Sequence, residues 1–151
     1  MSKLLIALLA SSGIALAGTA SAADKGMTRD QYKAEKDKID AEYKASMERC
    51  DSQTGNAKDI CKAEAKGKQK AAKADVEAQH KGTAKARADA RIAHADADYD
   101  VAKEKCDELT GNKKDVCMKD AKAAHAKAKA DAKVARSANE PRNEGARPGR
   151  S

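Results

Sequence analysis

One twelve-residue phrase occurs twice in this chain and contains all four of its cysteines. The first copy, CDSQTGNAKDIC, runs from Cys50 to Cys61, and the second, CDELTGNKKDVC, runs from Cys106 to Cys117. Eight of the twelve positions are identical. A phrase repeated in this way indicates a tandem duplication of one structural unit. Corresponding residues of the two copies, such as Cys50 and Cys106, are 56 positions apart, and this separation is the repeat offset.

Each phrase is typical of a tight turn between two antiparallel helices. Its glycine suits the left-handed conformation just past a helix C-terminus, and the asparagine that follows is a favoured N-cap, with an aspartate at the third helical position. The predicted turn and cap residues are Gly55, Asn56 and Asp59 in the first copy, and Gly111, Asn112 and Asp115 in the second.

The cysteines are predicted to staple the two helices of each turn. Each cysteine lies five residues from the Gly-Asn pair of its phrase, so the two cysteines of a phrase face each other at one level of antiparallel helices. We therefore expect the disulfides Cys50–Cys61 and Cys106–Cys117. Metal-binding or redox cysteines are the alternative, but they usually have C-x2-4-C or C-x-x-C spacing rather than C-x10-C.

The duplication extends upstream of the phrases, where Tyr43 matches Tyr99 and Glu48 matches Glu104. Apolar residues there recur at intervals of three and four, as expected for the inward face of a helix. These seam residues are Tyr32, Ile39, Tyr43 and Cys50 before the first staple, and Ile92, Ala95, Tyr99, Ala102 and Cys106 before the second. The sequence therefore predicts an all-α fold of two tandem antiparallel helical hairpins, residues 28–81 and 83–136.

Gly82 decides whether the two hairpins share a helix. The four arms are expected near residues 28–53, 56–81, 83–109 and 112–136. A glycine inside a helix costs only about 1 kcal/mol, which would leave the middle arms as one long central helix, whereas a break would give a four-arm up-down bundle. The chain has no Phe or Trp. Because so apolar-poor a chain fills a conventional core badly, the elongated rod is favoured, and abundant Ala favours helix over disorder.

Both ends of the chain differ from this helical region. Residues 1–22 have a Lys at position 3, an apolar run and a small-x-small site at Ala20-Ser21-Ala22, which is typical of a signal peptide. The run is too short to span a bilayer, and no later stretch is apolar enough, so we expect an exported, periplasmic protein without a transmembrane segment. Residues 137–151 contain both prolines and are predicted to form a disordered basic tail.

Lysine is concentrated in the second and fourth arms. The chain has 31 Lys and Arg against 24 Asp and Glu, a net charge of +7, and loss of Lys3 with the signal peptide leaves about +6. The two arms could bind anionic lipid or lipopolysaccharide, or they could simply solvate a thin helix. We expect their positive charge to stay exposed as two stripes and not to be neutralised within the hairpins. Nucleic acid is disfavoured because stacking aromatic residues are missing. The anionic-surface candidates are Lys62, Lys66, Lys70, Lys73, Lys122, Lys127 and Lys129.

The third arm contains one weak metal-binding candidate. His94 and Asp98 are four residues apart on one helical face, a spacing that suits a divalent cation. No role is predicted for His80 or His125. The sequence has no arrangement typical of a catalytic site, so we expect a protein that is not an enzyme and has no cofactor.

The second staple and its flanks, AKEKCDELTGNKKDVCMKDAKAAHAKAKADAK, resemble a group of small exported Ala/Lys/Asp-rich helical proteins of Gram-negative bacteria. These proteins are mostly uncharacterised and are sometimes labelled TolA-like or cell-envelope biogenesis proteins. The resemblance implies a periplasmic location and an association with the envelope.

The expected function is a non-catalytic periplasmic envelope protein. It would act as a helical spacer or interaction module whose partner is a protein or another envelope component. The alternative is a soluble cation-binding or stress-buffering periplasmic protein that uses the Asp/His-rich third arm.

Overall fold

The computed structural model describes residues 26–140, which form four α-helices. These are α1 (Arg29–Asp51), α2 (Gly55–Lys81), α3 (Ala84–Cys106) and α4 (Gly111–Asn139). The predicted signal peptide, residues 1–22, lies outside the described residues, as does the predicted tail from residue 141 onward. The all-α prediction is confirmed.

The helices pack in the order in which they occur along the chain. The helix α1 contacts α2, α2 contacts α3, and α3 contacts α4, and no other pair among these four helices has Cα atoms within 8 Å. Short turns make each consecutive pair antiparallel. The described part of the chain is therefore an open row of helices in which α1 and α4 form the two edges.

The long central helix favoured from the sequence is wrong. Gly82 adopts a left-handed conformation with φ 63° and its N–H donates to the carbonyl of Ala78, which ends α2. Thr83 is extended and its side chain accepts a hydrogen bond from the Ala86 N–H, which starts α3. The helix α3 then runs back along α2, so the four-arm alternative is the one observed.

The α2–α3 contact forms because small residues replace a conventional core. Ala78, Ala86 and Ala90 make up its buried cluster, with Ala74 packed against them. Gly67 is so close to α3 that a Cβ built on it would lie 2.8 Å from the Ala97 Cβ. Alanine and glycine let helices approach closely, and many short-range contacts can then replace a few large side chains.

Both staples join the helices that the sequence indicates. Cys50–Cys61 and Cys106–Cys117 are disulfides with Cα–Cα distances of 5.5 and 5.7 Å, within the usual range for such bonds. Cys50 and Cys106 are fully buried between their helices. No free cysteine is present among residues 26–140.

The predicted seams lie at the helix contacts. Ile39, Cys50, Ala95 and Cys106 are buried, while Tyr32, Tyr43, Ile92, Tyr99 and Ala102 are half-buried. Most of the other buried residues are alanines, so the interior contains few large apolar side chains.

The turn chemistry differs from the prediction. Gly55 and Gly111 do have positive φ, 57° and 56°, but each begins the following helix, and the N-cap is the extended Thr54 or Thr110. The N-cap assignment of Asn56 and Asn112 is therefore wrong. For the same reason Asp59 and Asp115 lie beyond the first turn, which contains no acidic residue in either helix. Each turn therefore combines an extended threonine N-cap with a left-handed glycine, and the asparagine already lies inside the helix.

The fourth helix is longer than predicted. It continues through residues 137–139, which the sequence had assigned to the tail, and ends at Glu140. Arg136 Nε lies 2.8 Å from Glu140 Oε1. Such an i, i+4 ion pair supports one more helical turn.

Reduction of the disulfides is expected to destabilise the fold. Each staple closes a loop with a sequence separation of 11 residues, for which the chain-entropy estimate is roughly 3 kcal/mol. Melting followed by circular dichroism should therefore occur at a lower temperature in reductant, and alkylation of unreduced protein should modify no cysteine. Four alkylated cysteines, or links between the two phrases, would contradict the pairing.

The Gly67→Ala variant tests the close α2–α3 contact. Alanine raises helix propensity by about 1 kcal/mol, but the new methyl group must push against Ala97, and overpacking typically costs about 1–3 kcal/mol. We expect a lower melting temperature, with partial recovery in the Gly67→Ala/Ala97→Gly double variant because the two residues are coupled. A higher melting temperature for Gly67→Ala alone would mean that the helices can separate freely.

Candidate functional site

A polar clamp joins the two helices of each hairpin at the same position in the repeat. In the first hairpin, Asp40 Oδ1 accepts a hydrogen bond from Gln69 (2.6 Å) and pairs with Lys73 Nζ (2.5 Å). The three residues that lie one repeat offset further along the chain are Asp96, His125 and Lys129.

The second clamp repeats the geometry of the first. His125 Nε2 lies 2.5 Å and Lys129 Nζ 3.2 Å from the same oxygen of Asp96. The duplication is therefore present in side-chain contacts as well as in the cysteine phrases.

The clamps change the acidity of their carboxyl groups. The hydrogen bond from Lys73, with that from Gln69, lowers the pKa of Asp40. The hydrogen bond from His125 is the largest cause that lowers the pKa of Asp96, with a smaller contribution from Lys129. In both cases a donor on the neighbouring helix stabilises the ionised carboxylate.

A second duplicated contact closes each turn. Lys58 Nζ lies 3.2 Å from Asp51 Oδ1, and Lys114 Nζ lies 2.7 Å from Asp107 Oδ1. The second pair follows the first at the repeat offset. Hydrogen bonds from Lys58, and then from Lys62, lower the pKa of Asp51. The matching lysines of the repeated phrases therefore bind the aspartate that follows the first cysteine.

Two histidines to which the sequence assigned no role lie in stacked aromatic contacts. His80 stacks on Tyr32 with ring centroids 4.6 Å apart, and His125 stacks on Tyr99 at 4.7 Å. Lys36 and Lys103 lie over the two tyrosine rings, each 5.1 Å from the centroid.

The first stack has further polar contacts. His80 Nδ1 lies 2.8 Å from the Met27 carbonyl oxygen, and the Tyr32 hydroxyl donates to Glu77. Hydrogen bonds from Lys81, and then from Tyr32, lower the pKa of Glu77. This stack has no counterpart at the repeat offset, where Ala88 and Arg136 occur, so it is not part of the repeated pattern.

The metal-binding candidate is not assembled as the sequence suggested. His94 Nε2 lies 2.8 Å from Asp75 Oδ2 on α2, and Asp98 is exposed one turn further along α3. Between residues 26 and 140 no group of three His, Cys, Asp or Glu side chains is placed to hold a metal ion. His94 therefore links α2 to α3, which gives each of the three helix contacts one histidine.

A groove of about 710 Å³ follows the line between α2 and α3 on one face of the row. Its floor is formed by small side chains and one valine, and its rim is charged. The floor residues are Gly67, Ala71, Ala72, Ala97, Val101 and Ala102, and the rim residues are Glu64, Lys68, Asp75, His94, Asp98 and Lys105.

The candidate lysines are less free than predicted. Lys62 pairs with Asp51, Lys73 with Asp40 and Lys129 with Asp96, in each case on the neighbouring helix, and Lys127 pairs with Asp131 on its own helix. The expectation that the basic arms keep their charge unneutralised is wrong for these four residues. Lys66, Lys70 and Lys122 form no ion pair with any residue from 26 to 140, and Lys66 and Lys70 lie together beside α3.

The two polar clamps could have been found by comparing residues one repeat offset apart in the sequence. Asp40 and Asp96, Lys73 and Lys129, and the clamp partners Gln69 and His125 are all related by the repeat offset. The Tyr32–His80 stack could not have been found in this way, because the residues at the repeat offset are not a tyrosine and a histidine.

The Asp96→Asn variant is expected to lower stability in a pH-dependent way. A lowered pKa stabilises the folded protein above the unfolded value near 3.8, and this contribution disappears as the pH falls through the folded pKa. Because Asp96 is half exposed, the expected loss at about pH 5 is only about 0.5–1 kcal/mol. The difference from the unsubstituted protein should be smaller at about pH 3 than at about pH 5, because the carboxyl group is then partly protonated.

The matched control is Asp98→Asn, which removes an exposed carboxylate without an ion pair among the described residues. Urea unfolding at the two pH values compares the variants. Equal losses for the two substitutions would mean that the clamp at Asp96 contributes nothing specific.

No described helix is long and apolar enough to cross a bilayer. A scan against protein-family models finds no match to the chain, and searches of curated proteins and of solved structures find no significant similarity.

Proposed function

We propose that this is a non-catalytic protein of the bacterial periplasm that acts as a helical spacer or interaction module of the cell envelope. The observation that carries this proposal is the double staple. Two disulfides in a small, apolar-poor chain are typical of an oxidising compartment. The predicted signal peptide and the resemblance to exported helical proteins of Gram-negative bacteria support the same location.

The repeated contacts support a spacer role. In each hairpin a disulfide ties the helices near the turn, an aspartate clamp ties them further along, and a Tyr–His stack adds a third contact. At 1.5 Å per residue, the 27 residues of α2 span about 40 Å. Helices held at several levels keep their length and direction, which suits a protein that separates or positions other components.

Anionic envelope surfaces are the proposed contact. Lys66 and Lys70 lie on one face of α2 next to Lys62, and their ammonium groups are available for phosphate groups of lipid or lipopolysaccharide. Asp59, Asp100 and Glu104 lie in the same region and reduce its positive potential. We therefore expect weak binding that depends strongly on salt.

The alternative of cation binding or stress buffering has less support. The residue expected to bind the cation, His94, is engaged with Asp75 across the α2–α3 contact. Binding a metal there would require the histidine to leave that partner.

Vesicle co-sedimentation tests the proposed contact. The Lys66→Gln/Lys70→Gln variant should lose binding to phosphatidylglycerol vesicles, and binding of the unsubstituted protein should fall steeply between about 0.1 M and 1 M salt, because the Debye length falls from about 10 Å to about 3 Å. Phosphatidylcholine vesicles should not bind.

The matched control is Lys81→Gln/Lys85→Gln, which removes the same charge from lysines paired with Glu77 and Asp89. This control should retain binding. Binding that survives 1 M salt, an equal loss in both variants, or no binding to anionic vesicles would each contradict the surface contact.

A further inference from the structure

The contact between α2 and α3 is the junction between the two copies of the duplicated hairpin. Its apolar part uses Gly67 against Ala97 and Ala74 and Ala78 against Ala86 and Ala90. Ile60 lies on the same face of α2, seven residues before Gly67. The two hairpins contact each other through this surface.

Polar groups frame the same junction. Asn56 Nδ2 donates to the Glu104 carbonyl oxygen (2.9 Å), Lys105 Nζ lies 3.8 Å from Glu64 Oε1, and His94 pairs with Asp75. The junction is thus a row of small residues with a hydrogen bond at one end and opposite charges along one side.

The duplication places the same face of a helix on the open edge of α4. At the repeat offset, Ile60 corresponds to Val116, Gly67 to Ala123, Ala74 to Ala130 and Ala78 to Val134. All four of these α4 residues are exposed, Val116 by 48% and Val134 by 69%. Two of the three exposed large apolar residues in the described chain therefore occupy positions that form the junction in the first hairpin.

The open edge of α1 corresponds in the same way to the face of α3 that meets α2. Ala90, Ala97 and Val101 correspond to Ala34, Ala41 and Ala45, all of which are exposed. The two edges of the row are thus the two halves of the internal junction, each without its partner in a single chain.

The polar partners also correspond, with acidic residues replaced by acidic ones and basic residues by basic ones. Glu64 and Lys105 become Asp120 and Arg49, and Asp75 and His94 become Asp131 and Lys38.

At the centre of the junction, two alanines are replaced together. Ala71 corresponds to Lys127 and Ala93, at the facing level of α3, corresponds to Asp37. Lys127, which pairs with Asp131 on its own helix, therefore occupies the position that faces Asp37 of the other edge.

We propose that the α4 edge of one molecule binds the α1 edge of a second copy of this chain, in the arrangement that joins α2 to α3 within one molecule. Asn112 then donates to the partner's Glu48 carbonyl, and Asp120 pairs with the partner's Arg49. Because the two edges differ, the contact is head-to-tail and a further copy can add at each end. This inference goes beyond the proposed envelope function and does not depend on lysine-mediated surface binding.

The contact between copies is weaker than the internal junction for two reasons. Ala123 replaces Gly67, so the helices cannot approach as closely as α2 and α3 do. Asp30 replaces Ala86 near the position of Val134, which puts a carboxylate beside an apolar side chain. We therefore expect association that increases with concentration rather than a permanent oligomer.

Sedimentation equilibrium of the oxidised full-length mature chain tests the proposal. The weight-average mass should rise with concentration, up to about 1 mM, toward that of two or more copies. The Ala123→Glu variant blocks the α4 edge and the Ala41→Glu variant blocks the α1 edge, so each alone should remain a monomer. An equimolar mixture of the two should form a one-to-one dimer that does not grow further, because each variant retains one open edge.

The control is Ala124→Glu, which makes the same exposed substitution about 100° round the helix from Ala123 and should associate like the unsubstituted protein. Circular dichroism confirms equal helix content in all variants. A monomeric unsubstituted protein, a control that is equally impaired, or a mixture that stays monomeric would overturn the proposal. Dimers of Ala41→Glu alone would instead indicate a symmetric α4–α4 contact and would also overturn it.

Discussion

Close approach between helices made of alanine and glycine is the constraint on which the rest of this structure depends. Ala78, Ala86 and Ala90 bury little surface each, and they contribute only if the helix axes come near enough for their methyl groups to touch. Gly67 permits that approach, since it lies where a methyl group would collide with Ala97. A chain without Phe or Trp can therefore pack four helices, but only in contacts that tolerate little change in spacing.

Helix contacts that bury so little apolar surface need further stabilisation, and disulfides and polar contacts provide it at matching positions in the two hairpins. A disulfide holds each hairpin near its turn, and an aspartate accepts hydrogen bonds from the neighbouring helix further along. The repetition of both devices at the repeat offset indicates that they were part of the hairpin before it was duplicated. Some of the lysines that were expected to form an exposed basic stripe instead bind these aspartates.

An open row of helices leaves two kinds of surface for interaction. Its faces carry the charged groove between α2 and α3 and the pair Lys66 and Lys70 on the other side. Its edges carry the exposed counterparts of the internal junction, including Val116 and Val134. The faces suit charged partners and the edges suit another helix, so the two proposals concern separate parts of the molecule.

The sequence by itself determined the two helical hairpins and both disulfides, because each depends on residues close along the chain: a turn at the Gly-Asn pair and cysteines equally spaced about it. Only the tertiary structure decided that Gly82 is a turn, that His80 and His125 stack on tyrosines, and that Lys73 and Lys129 bind aspartates of the neighbouring helix. Those features join residues that are far apart in sequence or, for Gly82, depend on whether such contacts form. The close α2–α3 spacing likewise comes from the fit of Gly67 against Ala97, which is a property of the packed pair and not of either helix alone.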